Sequence, residues 1–227
     1  MTPDIVGSIY IPAVVMAILI GYLFGSFPSA YLAGRLRKGI DIRKVGSRNM
    51  GAMNVYYEVG RVDAALVTLA DLGKGVAAIL LVRWSFGIPL FSSLDFWTVL
   101  TGTAAILGHI FPAFLRFHGG KGGATAIGIL IFLMPWSVPF LALVFFVAVF
   151  ISRNPTFSYS LLLFVFPFVA GFLYVDHFNA PLSLVFYSIA VGVFLGLQYI
   201  PRLREMRSKT GGDWRRVVKR TSLRERL

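Results

Sequence analysis

The sequence predicts an all-α polytopic membrane protein with six to seven transmembrane or half-membrane helices, an outside N-terminus and a cytoplasmic C-terminus. Of its 227 residues, 57% are hydrophobic and 14% are charged, and the mean hydropathy is +0.76. Soluble domains are about 45–50% apolar and about 25% charged. The apolar residues also form long runs separated by short polar or basic segments. These observations exclude a disordered, fibrous or ordinary cytosolic protein.

Six apolar runs supply the predicted spans, each near the ~20 residues that cross ~30 Å of hydrocarbon. They cover residues 5–33, 62–82, 96–117, 124–151, 157–175 and 182–200. No basic residue precedes Arg35, so the first run is interpreted as a membrane helix rather than a signal peptide. Glycine pairs with GxxxG spacing, Gly21 with Gly25 and Gly192 with Gly196, predict close helix packing in the first and sixth runs.

The distribution of basic residues decides the predicted orientation. If each run crosses once and the basic segment 35–48 lies inside, nine Lys and Arg residues are inside and twelve are outside. That count opposes the positive-inside tendency. If the fourth run enters and leaves on one side, twenty lie inside and one, Arg83, lies outside, with Lys74 in a span. This run is interrupted by Pro135 and Pro139, so we expect it to fold back there.

The predicted domain organisation is a single integral membrane domain, residues 1–200, followed by a basic cytoplasmic tail, residues 201–227. The tail carries ten basic and three acidic residues, and Trp214 lies among several of the cations. Contact with anionic membrane lipids and simple enforcement of topology explain this charge equally well. No nucleic-acid-binding module is visible between the apolar runs, so no nucleic-acid partner is expected.

The first of two polar loops on the predicted inner face is Gly46-Ser47-Arg48-Asn49-Met50-Gly51-Ala52-Met53-Asn54. Its glycines and asparagines permit the backbone conformations of an anion-binding nest, and Arg48 would add a fixed charge. A solvated turn whose arginines only enforce topology explains the segment equally well.

The second polar loop, Gly119-Gly120-Lys121-Gly122-Gly123, directly precedes an apolar helix. Backbone N–H groups, a helix N-terminus and an ammonium group can converge there on one phosphate. The loop lacks the spacing and the preceding strand of a P-loop, so nucleotide hydrolysis is not expected.

Charged and histidine residues within the spans are further candidates. Asp71 and Lys74 lie three residues apart on one helix face and are expected to pair. His109 is compatible with either site contact or a structural role. His118 and His177 show no ligand spacing, and the chain has no cysteine, so no metal site and no cofactor are expected.

Together, the polar segments resemble a known family. The patterns GS-x-N-x-GA-x-N, D-x-x-KG, GH-x-FP and GGKG-x-AT, at residues 46–54, 71–75, 108–112 and 119–125, are similar to those of the bacterial acyl-phosphate:glycerol-3-phosphate acyltransferases of the PlsY type. The likeness runs from about residue 25 to residue 125 and is weaker beyond. It implies a seven-helix inner-membrane enzyme of phospholipid biosynthesis. Such an enzyme transfers a fatty acyl group from acyl phosphate to the 1-hydroxyl of glycerol 3-phosphate, without an enzyme nucleophile, and gives lysophosphatidate.

The resemblance also implies roles for individual residues. Ser47, Lys121 and His109 would be catalytic, and Lys121 would neutralise charge on the departing phosphate. Asp71 and Lys74 would form a structural pair that braces the pocket. Contacts to substrate or phosphate would come from Gly46, Arg48, Asn49, Gly51, Asn54, Gly119, Gly120, Gly122, Thr125 and Thr156.

Several positions depart from the family pattern. The first loop of the family usually reads GSGNxGATN, and this chain has Arg48 at the middle glycine and Met53 at the threonine. Tyr57 stands at a family arginine, and Gly196 and Tyr199 stand at a C-terminal histidine and asparagine. Two alternatives therefore stay open: a diverged, non-catalytic lipid- or phosphate-binding paralogue, and a small membrane transporter. The paired polar breaks of an inverted-repeat transporter are not evident.

Overall fold

The structure, a computed structural model, describes residues 11–90 and 94–219. The beginning of the first predicted span and the end of the predicted tail lie outside these residues. The helices are α1 (Ile11–Gly25), α2 (Ser29–Lys38), α3 (Ala52–Glu58), α4 (Arg61–Ser85), α5 (Phe96–Ile110), α6 (Gly123–Leu133), α7 (Val138–Ser152), α8 (Pro155–Val169), α9 (Asp176–Phe178), α10 (Ser183–Lys209) and α11 (Trp214–Val218). Short 3₁₀ turns occur at Ile42–Lys44, Ala113–Leu115 and Pro135–Ser137, and a π-helical segment at Ala170–Val175.

Six helical stretches among the described residues are long and apolar enough to span a membrane, and α6 is a shorter apolar helix. The predicted fold class, an all-α polytopic membrane protein with six to seven helical segments, is confirmed. The side of the membrane on which each terminus lies stays a prediction. The chain divides into two compact units after Ile129.

Close packing of α1 against α5 organises the first unit. Cβ atoms added at Gly21 and Gly25 of α1 would overlap the backbone of Thr101 and Ala105 in α5. In the same way, a Cβ added at Gly108 of α5 would overlap the backbone of α1 at Tyr22. The GxxxG spacing therefore predicted the packing of this helix correctly, because small residues let two backbones approach. The second pair behaves differently. A Cβ at Gly192 would lie 3.2 Å from a carbonyl oxygen of α8, whereas Gly196 has nothing within 4 Å.

An arginine at the end of α4 is fully buried. Arg83 donates to Thr98 Oγ1 at 2.9 Å and to the Pro89 carbonyl at 2.8 Å, and it pairs with Asp95 Oδ2 at 2.7 Å. Asp95 also accepts from the Thr98 N–H at 2.7 Å and caps α5. Arg83 is the one outside cation of the predicted topology. The structure instead uses it to join the end of α4 to the beginning of α5.

The fourth apolar run is broken at Met134 and Pro135, as the prolines predicted. Helix α6 has 11 residues, about 16 Å at 1.5 Å per residue, which is half a membrane thickness. The following segment, Pro135–Ser152, has 18 residues and qualifies as a candidate span by itself. The two parts are therefore unequal in length. Pro139 does not interrupt α7, because it lies in the first turn, where a backbone N–H has no partner within the helix.

The second unit contains the C-terminal spans and the basic tail. Helix α8 carries Pro167 and continues into the π-helical segment. Prolines and π-helical turns are both common sites of helix kinks. Helix α10 runs through Pro201 to Lys209. The basic tail thus begins within a helix rather than after its end, and the predicted boundary at residue 200 stays a prediction.

Candidate active site

A buried ion pair lies in the middle of α4. Lys74 Nζ is 2.9 Å from Asp71 Oδ1, and the two side chains are 5% and 3% exposed. Asp71 Oδ1 accepts a hydrogen bond of 2.7 Å from Ser29 Oγ in α2, and Lys74 Nζ donates to the Phe27 carbonyl at 3.3 Å. A buried charge is costly unless it is paired and hydrogen-bonded, and both charges meet that condition. The pair fixes α4 against the break between α1 and α2.

His109, near the end of α5, extends this cluster. Its Nδ1 atom lies 3.7 Å from Asp71 Oδ1 and 3.1 Å from Thr125 Oγ1, in the first turn of α6. The His109 side chain is 4% exposed, and Thr125 is fully buried. Helices α4, α5 and α6 therefore meet at one buried polar cluster.

The glycine-rich loop folds back onto the end of α5. The N–H groups of Gly119 and Gly120 donate to the carbonyls of the last two residues of α5, at 3.1 and 3.0 Å. The sequence suggested that these groups would bind phosphate, but both are used within the protein. Gly122 has a φ of +79°, which glycine adopts without strain, and α6 begins at the next residue. Lys121, between these glycines, is half-buried.

Gly120 is the point where the two polar loops touch. A Cβ atom at this position would overlap His109 Nε2 and lie 2.6 Å from the Met50 carbonyl oxygen. The absence of a side chain lets both groups approach the loop backbone. Met50 belongs to the first polar loop and Gly120 to the second, so this contact brings the two loops together beside His109.

Asn54 organises the first loop from the inside. Its Nδ2 atom lies 2.8, 3.1 and 3.1 Å from the carbonyl oxygens of Ile42, Val45 and Asn49. Its Oδ1 atom accepts a hydrogen bond of 3.0 Å from the Ser47 N–H. The Asn54 residue is 2% exposed. Its side chain is therefore directed at the loop backbone, which it holds in place.

The outer face of the first loop presents two of the predicted site residues. Ser47 and Arg48 are exposed, and Asn49 is half-buried. Gly46 and Arg48 both have a φ of +57°. Glycine adopts this left-handed conformation freely, whereas it costs another residue about 1 kcal/mol. Arg48 is thus strained at the position where the family pattern has glycine.

Arg43 joins the segments that precede the two loops, a contact that the sequence did not predict. Its Nε and Nη2 atoms hold the Asp41 carboxylate in a bidentate ion pair, at 3.0 and 2.8 Å. Its Nη1 atom donates to the Leu115 carbonyl, just before the second loop, at 3.1 Å. The hydrogen bond from Arg43 lowers the pKa of Asp41 to about 2. The link had no local signature because Arg43 and Leu115 are 72 residues apart.

The other predicted residues are more scattered. Gly51 caps the N-terminus of α3. Thr156 belongs to the second unit, where it is half-buried and its carbonyl accepts from Ser160 Oγ at 2.9 Å. His118 and His177 are exposed, and the Nδ1 atom of each lies within 2.8 Å of a backbone carbonyl. Within the described ranges, no group of three or more His, Cys, Asp or Glu residues is placed to hold a metal ion.

Fold and site together define a polytopic helical membrane protein in which two glycine-bearing, cationic loops meet above a buried, charge-balanced cluster. A family model for glycerol-3-phosphate acyltransferase matches residues 15–209. The chain belongs to this family, and the resemblance noted in the sequence is confirmed.

Relatives and a solved structure agree with this assignment. The chain is 43% identical to "Glycerol-3-phosphate acyltransferase 2" of Dehalococcoides mccartyi, over 94% of this chain and 97% of the relative. It is 41% identical to a glycerol-3-phosphate acyltransferase of Bacillus cytotoxicus, over 63% of this chain and 69% of that protein. The crystal structure of PlsY (YgiH), an integral membrane glycerol 3-phosphate acyltransferase in its glycerol 3-phosphate form, superposes with a TM-score of 0.72 at 29% identity. It covers 88% of this chain and 94% of the solved one.

Proposed function

We propose that this protein transfers a fatty acyl group from acyl phosphate to the 1-hydroxyl of glycerol 3-phosphate and forms lysophosphatidate. The contact of Gly120 with Met50 and His109 carries the proposal, because it joins both polar loops into one site. The relatives' names and the glycerol 3-phosphate form of the solved structure support the acceptor. The activity would serve phospholipid biosynthesis in the inner (plasma) membrane of a bacterium, with the loops on the cytoplasmic side.

The proposed reaction needs no covalent intermediate on the protein. The 1-hydroxyl oxygen attacks the acyl carbonyl carbon and forms the ester bond, while the bond from that carbon to the bridging phosphate oxygen breaks. Inorganic phosphate leaves, and one of its oxygens takes the hydroxyl proton. Acyl phosphate already contains a good leaving group, so the protein contributes chiefly by positioning the reactants and stabilising charge.

Exposed and half-buried residues of the two loops are the proposed substrate contacts. Ser47 and Arg48 lie on the outer face of the first loop, and Lys121 lies in the second. Lys121 would neutralise the departing phosphate, and the start of α6 would add backbone N–H groups. Because the Gly119 and Gly120 N–H groups are occupied, we assign these glycines to loop packing rather than to phosphate contact. Gly46, Gly51, Asn49 and Gly122 would shape the same surface.

The buried residues are proposed to position the loops. Asn54 holds the first loop through its backbone contacts. His109 and Thr125 connect the second loop to α6, and the Asp71–Lys74 pair fixes α4 behind them. Substrate contact by Thr156, which belongs to the second unit, stays an expectation from the family resemblance.

Purified protein supplied with acyl phosphate and radiolabelled glycerol 3-phosphate tests the proposal. Lysophosphatidate is expected from the native protein, and Lys121→Ala should reduce its formation at least about 100-fold without loss of folding. Lys44→Gln is the matched control, because Lys44 is an exposed cation outside the proposed contacts, and it should retain activity. A well-folded native protein that forms no lysophosphatidate would refute the proposed acyl transfer. Binding of acyl phosphate without turnover would instead favour the non-catalytic paralogue. Uptake of glycerol 3-phosphate into proteoliposomes would favour a transporter.

A further inference from the structure

The C-terminal segment of the second unit carries a surface that the acyl transfer does not use. Residues 201–219 contain seven basic and two acidic residues, a net charge of +5. We propose that their exposed face binds the head groups of anionic lipids in the bilayer that the protein spans. We call this face the basic platform, and its cations are Arg204, Arg207, Arg215, Arg216 and Lys219, all exposed.

The inner face of this segment is fixed to the protein. Asn154, which is 1% exposed, uses its Nδ2 atom to donate to the Val217 carbonyl at 3.1 Å. Its Oδ1 atom caps α8 through the Phe157 N–H at 3.2 Å. Val217 itself is 2% exposed. These contacts attach α11 to the second unit through Val217, while Arg215 and Arg216 on the same helix are exposed.

Both acidic residues of the described tail interact with other groups of the tail. Glu205 pairs with Arg202 at 2.5 Å and with Lys209 at 2.8 Å. Asp213 accepts from the Arg215 N–H at 2.8 Å and caps α11. Within the described part of the tail, both carboxylates thus have partners in the tail itself, and residues 201–219 keep a net charge of +5.

The position of the basic platform favours lipid over other anionic partners. It continues directly from α10, a candidate membrane span that ends at Lys209, so the nearest large anionic surface is the bilayer itself. Trp214 is 49% exposed, and the Arg207 guanidinium lies 5.1 Å from the centre of its ring. Tryptophan and basic residues are typical of the head-group region. This combination distinguishes the surface from a simple cluster of topology-determining charges.

Hydrogen exchange of the full-length protein in lipid nanodiscs tests the proposal. One preparation contains phosphatidylcholine alone, and the other replaces one-third of it with phosphatidylglycerol of the same chain length. Amides of residues 203–219 are expected to exchange at least about fivefold more slowly in the anionic discs, the effect of one basic residue near such a surface. High salt should remove the difference.

Paired variants test whether the slowing depends on the cations of the basic platform or on positive charge elsewhere in the protein. Arg204→Gln with Arg215→Gln should reduce the lipid-dependent slowing to less than about twofold. The matched control, Lys44→Gln with Arg61→Gln, removes two exposed cations from the first unit and should preserve it. Equal exchange in both kinds of disc, or slowing that survives the tail substitutions, would overturn the proposal. So would stronger slowing by an added oligonucleotide in neutral discs, since the partner would then be a nucleic acid.

Discussion

Substitution of Gly120 by alanine tests the contact on which the proposed site depends. Its added Cβ would lie 2.6 Å from the Met50 carbonyl oxygen, whereas ordinary contact begins at 3.4 Å. One loop must therefore move by about 0.8 Å, the difference between these distances, and His109 Nε2 must move as well. Overpacking of this kind costs about 1–3 kcal/mol, and a displacement of about 1 Å in a catalytic site lowers the rate about 100-fold.

The assay combines thermal unfolding with steady-state acyl transfer. Gly120→Ala should lower Tm by several degrees, since 1 kcal/mol corresponds to about 2–4 °C for a chain of this size. It should lower kcat about 100-fold at temperatures where the variant remains folded.

Gly73→Ala is the matched control for this substitution. Gly73 is exposed on α4 and has nothing within 4 Å of an added Cβ. Alanine is favoured over glycine within a helix by up to about 1 kcal/mol, so activity should persist and Tm should not fall. Native kcat and Tm in Gly120→Ala would show that the two loops do not meet at Gly120 and do not form a shared site.

Three further outcomes are expected. Asp71→Asn leaves the Lys74 charge buried without its partner and should destabilise the protein by about 3–5 kcal/mol, measured by denaturant unfolding; a loss below about 1 kcal/mol would contradict the burial of the pair. Asp41 has its pKa lowered to about 2 by Arg43, so its stabilisation should be complete above about pH 4 and decrease as the pH falls towards 2; Arg43→Gln should flatten this part of a Tm-against-pH curve. Arg48→Gly relieves a left-handed φ and should not lower Tm. Loss of the proposed charged hydrogen bond from Arg48 to substrate should raise the KM for glycerol 3-phosphate about tenfold, and an unchanged KM would remove Arg48 from the site.

The fold class followed from the sequence because membrane thickness fixes the length of an apolar run. The break at Pro135 was also visible, since proline interrupts or begins a helix. Both polar loops were found because glycine-rich, cationic segments are rare between apolar runs. Their meeting at Gly120 was not predictable by spacing, because it depends on the Met50 carbonyl, which lies 70 positions earlier in the sequence.

The direction of individual polar groups was the part that sequence could not predict. Asn54 looked like a ligand residue, but its side chain is directed into the loop. Arg83 looked like an orientation signal, but it is buried against Asp95. In both cases the side chain forms its hydrogen bonds with an internal carbonyl or carboxylate instead of with water. Which partner it finds depends on tertiary packing rather than on residue type.

The charges of the first unit divide into two groups with different expected consequences. Asp71 and Lys74 compensate each other in the interior, so they contribute little net field at the loops and act mainly by holding helices together. Lys121 is half-buried in the second loop, where a positive charge can act directly on phosphate. Disruption of the buried pair should therefore lower activity in proportion to the folded fraction, whereas Lys121→Ala should lower kcat with a much smaller fall in Tm. Parallel measurement of kcat and Tm for both variants distinguishes a catalytic charge from a positioning pair, and a fall in Tm for Lys121→Ala equal to that for Asp71→Asn would refute the distinction.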